Sequence, residues 1–143
     1  MHRTAAPPTR QRESGPALTA AVRDARRHFM AARRITRAMR LAHYQGRNSR
    51  STYATRDAHL RQAANAARTA GQLAGGRRSP VGRELEGRLW AEHRLAGRLG
   101  QARDDQTIRP ELAARQAACR RAIRALIAQA AATSRDHPAR EDR

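Results

Sequence analysis

From Leu18 to Arg40 the chain reads Leu18-Thr19-Ala20-Ala21-Val22-Arg23-Asp24-Ala25-Arg26-Arg27-His28-Phe29-Met30-Ala31-Ala32-Arg33-Arg34-Ile35-Thr36-Arg37-Ala38-Met39-Arg40. Apolar residues return every three or four positions: Leu18, Val22, Ala25, Phe29, Ala32 and Met39 share one stripe, with Ile35 and Ala42 on its flank. That is the period of a helix with one buried face. At about 100° per residue, Arg23, Arg26, Arg27, Arg33, Arg34, Arg37 and Arg40 crowd into an arc of roughly 140° on the other side.

Outward from this stretch, the helix is expected to run from Pro16 to Gln45. Ser14 or Gly15 suits the cap, Pro16 the first turn, and Gly46 a left-handed stop. A second helix is expected from Thr52 to Ala74, capped by Ser51 and ended by Gly75-Gly76. Tyr53, Leu60, Ala67 and Ala74 recur along it, supported by Ala63, Ala64 and Ala70, and Asp57 and Arg61 are spaced for an ion pair. A third starts at Ser79-Pro80 and carries Val81, Leu85, Leu89, Leu95, Ala96 and Leu99 to about Ala102. Within it Glu84 and Arg88 are spaced to pair, and Arg94 lies one turn beyond Trp90, placed to stack on it. Gly82, Gly87, Gly97 and Gly100 weaken this helix by about 1 kcal/mol each. Glu92 faces its leucine side, either at the edge of the stripe or paired with an arginine from another helix. The fourth opens between Thr107 and Pro110, has Glu111 in its first turn, and repeats Leu112, Gln116, Cys119, Ile123, Leu126 and Ala130.

The expected fold is all-α: four amphipathic helices in an antiparallel bundle with disordered termini. Residues 1–15 form a flexible basic arm, 16–133 the helical domain and 134–143 a flexible tail. The domain divides into a basic hairpin, 16–74, and a less basic one, 80–133. Its core is thin, because Leu, Ile, Val and Phe total 17 of 143 residues while alanine occurs 32 times. Ten leucines must offset the ordering of a long chain, so self-association or ligand stabilisation stands beside an independent monomer.

Charge is the second strong signal. All 30 basic residues are arginine, against 12 acids, for a net charge of +18. GC-rich codon usage accounts for the missing lysine but not for the excess of base over acid. Residues 1–79 carry 17 Arg and three acids (+14), and residues 80–143 carry 13 Arg and nine acids (+4). Seven like charges on one helix repel one another, and binding a polyanion relieves that repulsion and releases counterions. Arginine's planar fork suits phosphate, and Arg47, Arg50, Arg77 and Arg78 in the turns extend the patch. The aromatics are too few for a base-stacking platform.

The expected function is therefore that of a small nucleic-acid-binding accessory protein, contacting DNA or RNA phosphates without reading sequence. Size and composition suit a plasmid or other mobile element. A second reading is a helical adaptor for acidic or helical protein partners. A third is a sequence-specific helix-turn-helix regulator: Ser79-Pro80-Val81 followed by Leu85 is similar to the start of the recognition helix in GntR-type regulators. That resemblance covers about a dozen residues, the turn before it is several residues shorter, and no winged strands follow.

Enzymatic chemistry is not expected. The six histidines include no pair spaced four apart, and there is no HExxH, CxxC or glycine-rich phosphate loop, so no metal or cofactor is implied. Cys119 sits on an apolar stripe, where a thiol acts as a small core residue, and a lone cysteine fits a reducing cytoplasm. No apolar leader is evident near Met1, and the tract Ala122–Ala132 is too short to span a bilayer.

Overall fold

A computed structural model describes residues 6–44 and 50–136, which form four helices: α1 (Ala6–Tyr44), α2 (Arg50–Leu73), α3 (Pro80–Gln101) and α4 (Arg109–Asp136). Among the described residues there is no strand. Residues 1–5, 45–49 and 137–143 lie outside them, among them Arg47, Gly46 and most of the expected tail.

α1 begins at Ala6, ten residues before the expected start, so the helix takes in residues 6–15. Pro16 looks like a first-turn residue but lies inside the helix. The first turn belongs instead to Pro7 and Pro8, where a missing N–H costs nothing. α2 likewise opens at Arg50, which puts Ser51 within its first turn.

The stripes expected from periodicity are the core. Leu18, Val22, Ala25, Phe29, Ala32 and Met39 of α1 are buried, as are Leu85, Leu89 and Leu95 of α3 and Leu112, Cys119, Ile123, Leu126 and Ala130 of α4. α2 contributes Ala63, Ala67 and Ala70, with Ala74 just beyond its end, so it packs by close approach of backbones and buries little area. Tyr53, expected on that stripe, is exposed, and Arg56 lies over its ring at 5.4 Å. Asp57 pairs with that same Arg56 at 3.2 Å, not with Arg61.

α2 ends in a Schellman motif. Gly76 N–H donates to the Gly71 carbonyl (2.9 Å) and Gly75 N–H to that of Gln72 (3.2 Å), with both glycines at positive φ. This turn lays α3 across the end of α2 at Gly71 and Gly82. A Cβ on Gly82 would stand 2.5 Å from the carbonyl oxygens of Gly71 and Gly76, so only glycine fits. Asp105 caps the turn that leads into α4, its Oδ1 accepting the N–H groups of Thr107 (3.0 Å) and Ile108 (3.2 Å).

Two contacts fix the direction of α4 against α3. Cys119 Sγ–H donates to the Arg88 carbonyl (3.2 Å), and Arg109 Nη1 to the Leu99 carbonyl (3.3 Å), so the two helices run antiparallel. α1 and α2, joined through five residues and packed along each other, do the same. α1 and α3 run parallel, since Arg26 meets Glu92 while, further along both helices, Arg37 and Arg40 border one concavity with Gly100 and Arg103.

Candidate anion-binding surface

Not all seven arginines of the α1 arc face solvent. Arg26 and Arg33 are half-buried, and both turn toward α3. Arg26 grips Glu92 as a fork, Nε to Oε1 at 2.9 Å and Nη2 to Oε2 at 3.1 Å. Arg120 of α4 reaches the same carboxylate at 3.5 Å. Glu92 thus joins three helices, its side chain 11% exposed against 37% for Arg26 and 54% for Arg120. Of the two sequence readings of Glu92, the interhelical pair is the one observed.

Arg33 meets a neutral partner: its Nη1 lies 3.0 Å from His93 Nδ1. A guanidinium can only donate, so Nδ1 accepts and the ring proton sits on Nε2. Burial, reinforced by the charges of Arg33 and Arg94, lowers the His93 pKa to about 4. Burial also pulls Arg33 below its ordinary value, with Glu92 opposing and Arg120 adding to the shift. The imidazole is held flat against Phe29, with centroids 4.5 Å apart and planes at 20°. Trp90 closes on the same Phe29 edge-on at 4.8 Å, and it is this contact, not an Arg94 stack, that places the indole.

The rest of the arc is an exposed row: Arg23, Arg27, Arg34, Arg37 and Arg40. Arg27 pairs with Asp24 at 3.1 Å; the other four make no ion pair among the described residues. Arg50 is exposed at the start of α2, beside the C-terminal end of α1. Arg77 and Arg78 are exposed too, but in the turn at the opposite end of the bundle. At about 1.5 Å per residue, Leu18 and Arg40 are separated by roughly 33 Å of helix, so the turn arginines lie far from the Arg40 end of the row. Arg77 instead shares a small notch of about 180 Å³ with Arg68, Arg83 and Glu86 around the Gly71–Gly82 crossing.

A larger concavity opens where the C-terminal ends of α1 and α3 meet the start of α4. It measures about 510 Å³ and gathers seven arginines: Arg33, Arg34, Arg37 and Arg40 from α1, Arg94 from α3, Arg103, and Arg109 of α4. No carboxylate lines it, and its apolar lining comes from Met30, Ala96, Gly97, Leu99 and Gly100. Arg94, Arg103 and Arg109 come from the half expected to be less basic; the parallel course of α1 and α3 brings them to the row. No spacing in the sequence marks them as partners of the row, because Arg103 lies beyond α3 and Arg109 opens α4.

Three further titratable side chains complete the picture. His28 of α1 and His59 of α2 face each other with Nδ1 atoms 3.0 Å apart. Burial, together with the charges of Arg27 and His59, lowers the His28 pKa, while Asp24 partly opposes this. Cys119 is buried, and burial raises its thiol pKa. Among the described residues no three His, Cys, Asp or Glu side chains gather as a metal site, and no helix is long and apolar enough to cross a membrane. Compared with known protein families, curated proteins and solved structures, the chain matches none.

Proposed function

We propose that the chain is a small basic accessory protein that binds nucleic-acid phosphates without reading base sequence, through the exposed row Arg23, Arg27, Arg34, Arg37 and Arg40 of α1. The observation that carries this reading is the row's lack of neutralisation: one aspartate, Asp24, answers one of its arginines. A merely solvated face gains by interspersing acids, because like charges one helical turn apart destabilise the helix. Lined up along a rigid helix, such guanidiniums match the spaced phosphates of a nucleic-acid strand and gain from counterion release. Arg26 and Arg33 drop out of this surface, since each is engaged by α3.

The test is charge reversal. Changing Arg23, Arg27, Arg34 and Arg37 to glutamate is expected to nearly abolish binding to random duplex DNA. Each lost phosphate contact should flatten the slope of log affinity against log salt by about 0.9. Reversing Arg98, Arg115, Arg121 and Arg124, which are equally exposed, changes net charge identically and is expected to matter far less. Equal losses from the two variants would mean that overall charge, not this row, governs binding.

A further inference from the structure

We propose that the groove between α1 and α3 is a binding site for a small nucleoside polyphosphate. It shares Arg34 and Arg37 with the exposed row but does not depend on that row's binding a nucleic acid.

Arg33 gives the first argument. Its half-buried neighbour on the same side of α1, Arg26, has its charge answered by Glu92, but Arg33 is held by an uncharged imidazole. A cation drawn out of water without a carboxylate contact carries a desolvation penalty, which an entering anion removes. The other groove arginines surround this one, and no acid lines the space to compete with a ligand. The charge so concentrated calls for several adjacent negative groups on a compact chain, as in a di- or triphosphate. A duplex offers phosphates one at a time along a surface too broad to enter.

The floor gives the second argument. Met30, Ala96 and Leu99 are apolar, and a Cβ added at Gly97 or Gly100 would meet nothing within 4 Å. Alanine would therefore fit and would favour the helix by about 1 kcal/mol at each position. With glycine, the space stays open. A volume of about 510 Å³ falls within the common range for small-ligand sites. A floor without charge beneath planar guanidiniums suits a flat, weakly polar body, which arginine can stack upon. His93, locked by Phe29 and Arg33, adds an uncharged N–H donor at Nε2.

Titration calorimetry on the full chain tests this with ATP, inorganic triphosphate and adenosine, beside a random DNA duplex. ATP is expected to bind once per chain, triphosphate about tenfold more weakly and adenosine not measurably. Gly97→Leu leaves every charge in place and fills the floor. It is expected to weaken ATP by about tenfold while duplex affinity stays within about twofold. A second variant, Arg94→Gln with Arg103→Gln, guards against a folding defect in the first and should weaken ATP similarly. Its charge-matched control, Arg115→Gln with Arg121→Gln, should not. If ATP and triphosphate bind alike and neither responds to Gly97→Leu, or if the two arginine pairs behave the same, the groove is not a site. Loss of duplex binding alone would remove the role of the row and leave the groove standing.

Discussion

Replacing Glu92 with glutamine leaves the shape of α3 unchanged and removes the negative charge on which Arg26 and Arg120 converge. The amide can still accept one hydrogen bond, but its NH₂ group faces a guanidinium that has nothing to accept with. Breaking one side of a fully buried ion pair costs about 3–5 kcal/mol. Here the carboxylate is buried while Arg26 and Arg120 keep 37% and 54% of their exposure, so both cations recover part of their hydration. The expected loss is therefore about 2 kcal/mol, nearer to that of a charged hydrogen bond. For a chain of this length that corresponds to a fall of about 8 °C in Tm, read by far-ultraviolet circular dichroism. Glu84→Gln, which breaks the exposed Glu84–Arg88 pair, changes net charge equally and should cost about 0.5 kcal/mol or less. A double-mutant cycle of Glu92→Gln with Arg26→Gln should show a coupling of about 1–2 kcal/mol. If Glu92→Gln costs no more than Glu84→Gln, the three-helix junction contributes nothing beyond surface charge and the reasoning fails.

Gly82→Ala and Gly87→Ala should act with opposite signs. The first forces a methyl against backbone atoms of Gly71 and Gly76, a net cost of about 2 kcal/mol once overpacking is set against helix propensity. The second meets open space and should gain about 1 kcal/mol, so chemical denaturation showing both shifts in one direction would contradict the α2–α3 crossing. The folded pKa of His93, about 4, lies below its ordinary 6.5, so between those values the unfolded chain takes up a proton that the folded chain does not. Stability should fall as pH drops through that window, His93→Gln should flatten the slope, and an NMR titration placing the ring near 6.5 would exclude the burial described. Cys119 should react slowly with a thiol reagent until the chain unfolds, and rapid labelling of the native protein would show that α4 does not seal it.

Regular spacing made the core legible. The stripes of α1 and α4 were visible residue by residue, because a helix repeats its buried face at fixed intervals and nothing in those segments interrupts it. Where a residue serves two helices, spacing is silent. Arg26 and Arg33 fall on the same arc as Arg23 and Arg27, and only the position of α3 separates an interior ligand of Glu92 from a solvent-facing cation. The start of α1 was missed because Pro16 carries the mark of a first turn although Pro7 and Pro8 hold that place. Tyr53 sits on the seven-residue repeat of α2, but at the helix's outer end it has no neighbour to bury it. The groove is the clearest case of tertiary information. Arg94, Arg103 and Arg109 become partners of Arg37 and Arg40 only because two short connections make α1 and α3 parallel.

The joint between the two hairpins bears on how the molecule opens. α1 packs most closely on α2 and meets α3 chiefly through Phe29, Trp90, His93 and the Glu92 junction, while α2 and α3 are held at the Gly71–Gly82 crossing. Each hairpin is built from neighbours in sequence, so each closes a short loop and should form early and fast. Hydrogen exchange should then resolve two cooperative units whose separation exposes the Phe29 cluster before either hairpin melts. The groove arginines belong to both units. A ligand seated among them would raise the opening free energy of the joint without changing a contact inside either hairpin.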